Sequence, residues 1–97
     1  MGGSRLRDGE TAERRRPLFL YSRPACHLCE VVKPLVFEVA RRHGVPVVER
    51  NVENDPEWET AFGSQIPVAV FRGRKLFKYR VSRDLLEQRL VAALARD

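Results

Sequence analysis

Ninety-seven residues with 18 Lys and Arg against 13 Asp and Glu, a formal charge of +5 and a hydrophobic fraction of 43% fit one small globular domain. No apolar run approaches the roughly 18 residues that a membrane span requires, and no secretory signal is visible at the N-terminus, so a cytoplasmic setting is expected. The positive charge is spread along the chain without a dense stripe of basic and aromatic residues, which argues against a nucleic-acid surface.

Residues 1–16 hold Gly2, Gly3, Gly9, five arginines and three acids, and read as a disordered basic tail, because they offer too little apolar surface to offset ordering. Residues 17–97 form the expected domain. Leu18-Phe19-Leu20-Tyr21 suits a buried strand. From about Ala25 to His43 the pattern turns helical, with Leu28, Val31, Val32, Leu35, Val36 and Val39 on one buried face, Pro34 as an internal kink and Gly44 as a stop. Val45 to Val52 reads as a second strand. Asp55-Pro56 predicts a capped short helix to Phe62. Val68-Ala69-Val70-Phe71 is a third strand, and Lys75 to Tyr79 a fourth, joined by the tight Arg72-Gly73-Arg74 connection. Ser82 caps a last amphipathic helix whose apolar face takes Leu85, Leu86, Leu90, Val91 and Leu94. Trp58, Phe62, Phe71 and Phe77 are expected to pack. The order β-α-β-α-β-β-α implies an α/β protein with a four-stranded mixed sheet flanked by helices. Its first two strands are parallel and its last two form a hairpin.

The chain has two cysteines, Cys26 and Cys29, at the predicted junction of the first strand and the first helix. Two cysteines cannot make the bridge framework of a small secreted domain, and their closeness points to redox chemistry or half a metal site. A sulfur at a helix N-terminus faces unpaired N–H groups and the positive end of the helix dipole. Its thiolate is stabilised and its pKa is expected below that of a free thiol. Cys26 is thus the expected nucleophile, and Cys29, one turn deeper, the thiol that resolves a mixed disulfide. His27 between them and Arg23 before them are candidates to tune the thiolate. Arg23 is also a candidate carboxylate contact for an anionic thiol substrate. Ile66-Pro67 precedes the third strand. It is either a plain strand start or a cis bond that presents the Ile66 backbone to a substrate. The other histidine, His43, lies outside the motif, so a four-ligand metal site within one chain is not expected.

Leu20-Tyr21-Ser22-Arg23-Pro24-Ala25-Cys26-His27-Leu28-Cys29 resembles the active-site stretch of glutaredoxins and of the small glutaredoxin-like proteins of bacteria. Ile66-Pro67-Val68 resembles the segment that holds the cis-proline of that family. The resemblance implies a thioredoxin-like fold, Cys26 as nucleophile, Cys29 as resolving thiol and Pro67 as the cis-proline facing them. It implies glutathione or a thioredoxin-reductase-type system as electron donor, and no tightly bound cofactor. Glutaredoxins carry a Gly-Gly turn and an Asp before the last helix to hold the glutathione amine. This chain has Tyr79-Arg80-Val81-Ser82-Arg83-Asp84 there, with Ser82 or Asp84 as substitutes. Thioredoxins carry a Trp-Cys-Gly-Pro-Cys motif and a buried acid where this chain has Leu20, while Pro34 matches their helix kink.

The function expected from these residues is a thiol–disulfide oxidoreductase, acting as a monomer on disulfide-bearing proteins or glutathione mixed disulfides. Two alternatives stay open on sequence alone. One is a non-catalytic module that uses the groove to hold a protein partner. The other is intermolecular ligation of a metal or iron–sulfur cluster by the cysteine pair.

Overall fold

The structure is a computed structural model that describes residues 16–96. All but Arg16 of the segment read as a tail therefore lie outside the described residues. Four strands form one sheet: β1 (Leu18–Ser22), β2 (Val47–Asn51), β3 (Val68–Phe71) and β4 (Arg74–Lys78). Three α-helices accompany them: α1 (His27–Arg42), α2 (Pro56–Phe62) and α3 (Arg83–Ala95), with a 3₁₀ turn at Val52–Asn54. The strand order is β2-β1-β3-β4. β1 pairs parallel with β2 and antiparallel with β3, and β3 pairs antiparallel with β4. The α/β fold class and the element order are those expected.

Strand alternation sends successive side chains to opposite faces. On one face Leu18 and Leu20 of β1, Ala69 and Phe71 of β3 and Phe77 of β4 meet Val36 and Val39 of α1 and Leu86 and Leu90 of α3. Burying each of the four leucines contributes roughly 1.5–3 kcal/mol, so this face sets the stability of the domain. On the other face Tyr21, Val52 and Val68 form a smaller cluster with Phe19, Trp58, Phe62, Ile66 and Val70 packed round it. The expected packing roles of Trp58, Phe62, Phe71 and Phe77 fall on these two clusters.

Three expected core positions face out instead. Val31 is 59% exposed, Leu85 37% and Val91 45%. The line that α1 turns inward is Cys29, Val32, Val36, Val39 and Ala40, and Val31 stands roughly 100° round the helix from Val32. The inward line of α3 is Leu86, Leu90 and Ala93. Spacing alone could not choose between these neighbouring stripes. β4 carries an irregularity opposite Ala69 and Val70, so that Leu76 and Phe77, consecutive residues, are both buried. The strand runs Arg74–Lys78 where Lys75–Tyr79 was expected, and Tyr79, with φ 67°, has left it. Among the described residues, no helix is long and apolar enough to cross a membrane.

Candidate functional site

The site grows from the end of β1. Ser22 closes the strand, is buried, and donates its hydroxyl to Glu49 Oε2 at 3.2 Å. Pro24 and Ala25 then turn the chain, with Ala25 in the left-handed region at φ 59°. Left-handed backbone costs a residue with a Cβ roughly 1–2 kcal/mol. The turn delivers Cys26 to the N-cap of α1 in an extended conformation. There its Sγ accepts the Cys29 N–H at 3.2 Å, the contact that a serine or aspartate oxygen makes at an ordinary N-cap.

Cys26 and Cys29 are joined as a disulfide with a Cα–Cα distance of 5.2 Å. Cys26 is partly exposed, whereas Cys29 is only 4% exposed. Cys26 is therefore the more accessible residue of the pair, and Cys29 lies on the core side of α1. His27 is the first residue of α1 and is exposed. Opening the disulfide would leave Cys26 Sγ at the positive end of a 16-residue helix, which favours an anion there.

Arg23 is in the same loop, and its guanidinium is engaged elsewhere. Nη1 and Nη2 donate to the two carboxylate oxygens of Glu59 at 3.1 and 2.8 Å, and Nη2 also donates to the Gly63 carbonyl at 3.0 Å. Glu53 lies 3.6 Å from Nη1. The hydrogen bond from Arg23 holds the Glu59 carboxyl below its ordinary pKa, and that carboxylate in turn raises Arg23. This fork ties the loop before Cys26 to the end of α2. Gly63 permits the clasp, because an added Cβ there would stand 2.0 Å from Glu59 Oε2.

The Ile66–Pro67 bond is cis, as one of the two sequence readings had it. Tyr21 pairs with Val68, so the antiparallel register sets Pro67 opposite Ser22, at the end of the sheet from which the cysteine loop leaves. Pro67 is buried and Ile66 half-buried. Tyr79 braces this segment, its backbone N–H reaching the Pro67 carbonyl at 2.8 Å and its hydroxyl the Ser64 carbonyl at 3.2 Å.

The structure thus places Cys26, His27 and Cys29 in one turn, and Ile66 and Pro67 at the same end of the sheet. Sequence reasoning missed Glu59 and Glu53 as the partners of Arg23, and Tyr79 as a brace. No local pattern announces contacts made across 36 residues, as between Arg23 and Glu59. An apolar cavity of about 770 Å³ between α1 and β2, lined by Phe37, Val45, Pro46 and Val47 among others, contains neither cysteine. Among the described residues, no group of three or more His, Cys, Asp or Glu side chains could hold a metal ion.

Comparison with known proteins agrees with this geometry. In a search of solved structures, a mutant thioredoxin from Halobacterium salinarum matches with a TM-score of 0.63 at 17% identity, over 91% of this chain and 82% of that one. Thioredoxin 1 from Thermosipho africanus matches with a TM-score of 0.55 at 10% identity, over 79% and 97%. At such identities these likenesses show the thioredoxin fold. A curated relative, the glutaredoxin-like protein YDR286C homolog of Dictyostelium discoideum, is 24% identical over 72 residues, which cover 68% of this chain and 67% of that protein. The model of the glutaredoxin-like domain family (DUF836) matches residues 17–91, and the chain belongs to that family.

Proposed function

We propose that this protein is a thiol–disulfide oxidoreductase that reduces protein disulfides or glutathione mixed disulfides in a reducing cytoplasm. The observation that carries the reading is the partly exposed Cys26 at the N-cap of α1, its Sγ accepting the Cys29 N–H, with buried Cys29 bonded to it. In the dithiol form the Cys26 thiolate attacks a substrate R–S–S–R′. A Cys26–S–S–R bond forms and R′S⁻ leaves to take up a proton. Cys29 then gives its proton to solvent and attacks Cys26 Sγ. This closes the intramolecular disulfide and expels RS⁻. The substrate gains two electrons and the pair loses them. Two glutathione molecules, or a dithiol reductase of the thioredoxin-reductase type, would restore the dithiol, and no bound cofactor is needed.

In this reading His27, when protonated, adds positive charge beside the thiolate. Arg23, held by two carboxylates, positions the loop rather than meeting the sulfur. Ile66 offers its backbone to the substrate beside the cis Pro67, at the same end of the sheet. Ser82, whose hydroxyl also accepts the Leu85 N–H as the α3 cap, and Asp84 are the candidates for holding a glutathione amine.

The test is turnover of a small model disulfide with glutathione as reductant by wild type, Cys26→Ser and Cys29→Ser. Cys26→Ser should be inactive. Cys29→Ser should accumulate a mixed disulfide on Cys26, visible as an added mass. Undiminished turnover by Cys26→Ser would defeat the proposal.

A further inference from the structure

At the end of the sheet away from the cysteines, a cleft of about 510 Å³ opens between β4 and the last turns of α3. Arg74, Arg89 and Arg96 line it, above an apolar floor that includes Leu76, Ala92 and Ala93. Lys75 also lines it, but commits its ammonium to Gln65 Oε1 at 2.6 Å. Arg74 lies opposite Phe71 in the β3–β4 register, which sets it on the same face of the sheet as α3. Arg89 uses Nη1 on the Leu76 carbonyl at 2.7 Å, which holds its guanidinium at the strand edge.

The charges here are unbalanced. Among the described residues, Glu38, Glu49, Glu53, Glu59 and Glu87 take part in ion pairs, and none of those pairs involves Arg74, Arg89 or Arg96. Glu87, the acid of α3 nearest in sequence to Arg89, is held by His43 and Arg42 instead. Among the described residues, no carboxylate lines the cleft. A helix C-terminus would ordinarily repel an anion. Here Arg72 donates to the Ala93 and Arg96 carbonyls at 2.9 and 3.0 Å and offsets that field.

We propose that this cleft binds a small, multiply charged phosphate ligand. Guanidinium forks match phosphate oxygens two at a time, and three arginines line one cleft that none of the described acids lines. The volume lies in the range of small-molecule sites. A nucleic-acid strand fits less well. It would want a longer basic track and exposed rings for stacking, and no aromatic residue lines the cleft. The site is separate from the thiol chemistry proposed above.

Inorganic pyrophosphate and tripolyphosphate are the probes, titrated calorimetrically into the full chain and followed by amide resonances. Saturable one-to-one binding is expected, with shifts confined to Arg74–Leu76 and Ala92–Arg96. Arg74→Ala and Arg96→Ala should each weaken it about tenfold, the loss of one charged hydrogen-bonded pair, with melting temperature and disulfide turnover unchanged. Any of four results would overturn the proposal. The first is no binding at millimolar probe, and the second is affinity indifferent to both substitutions. The third is binding seen only after Asp97→Ala, which would mean that the Asp97 carboxylate fills the cleft. The last is displacement of pyrophosphate by an oligonucleotide at lower concentration.

Discussion

The two faces of the sheet are built from different material. The face under α1 and α3 is aliphatic and closed, with Leu18, Leu20, Val36, Val39, Phe71 and Leu90 all fully buried. The face under α2 is aromatic and only partly closed, and a cation finishes it. The Arg50 guanidinium lies 3.7 Å from the Phe19 ring centre and 4.7 Å from that of Trp58, and donates to the Tyr21 hydroxyl at 2.9 Å. The short α2 buries none of its residues fully. The closed face holds the domain together. The open face carries α2, to which the cysteine loop is clasped through Arg23.

This contrast can be broken by measurement. Phe71→Ala removes a fully buried ring and should cost about 3–5 kcal/mol in urea unfolding. Trp58→Ala, at a half-buried position, should cost roughly half as much. Equal losses would erase the distinction between the faces. Gly63→Ala should destabilise by about 1–3 kcal/mol, because its Cβ would stand 2.0 Å from Glu59 Oε2 and 2.5 Å from the Glu59 carbonyl oxygen, so that the end of α2 must shift. An unchanged melting temperature would show that this end of α2 yields without cost. Arg50→Met should cost about 0.5–1 kcal/mol and change the Trp58 fluorescence, sharpening the view that a cation completes the open face.

The smallest effect is a dependence on pH. Glu59 is held below its ordinary pKa by Arg23, so its contribution to stability is complete above the ordinary carboxylate range. It is lost as pH falls through the lowered value. Both side chains are substantially exposed, so screening keeps the effect slight. Glu59→Gln should lower the melting temperature slightly at neutral pH, and the difference from wild type should vanish in acid or in about 1 M salt. A difference that persists in acid would assign the loss to packing.

Most of the fold was legible because local chemistry and periodicity agreed. Asp55-Pro56 announced α2 and Ser82 announced α3, and both caps accept the expected N–H groups. The run Val68–Phe71 was read to the residue. What the sequence hid was long-range. Val31 and Val32 are chemically equal, and packing against the sheet decided which went inside. Leu76 and Phe77 broke strand alternation through an insertion that no turn residue marks. At the site, the spacing of Cys26 and Cys29 was visible at once. The engagement of Arg23 with Glu59 and Glu53 was not, because an arginine beside a cysteine looks the same whether or not distant acids claim it.

The extra residue in β4 also bears on how this molecule meets its own kind. A rim strand with regular spacing offers its outer amides and carbonyls as a template on which a neighbour can grow. Here the repeat is broken near Leu76, and Arg89 already occupies that residue's carbonyl. The β4 margin is thus a poor seed for edge-to-edge stacking, and crowded solutions should find little purchase on that side.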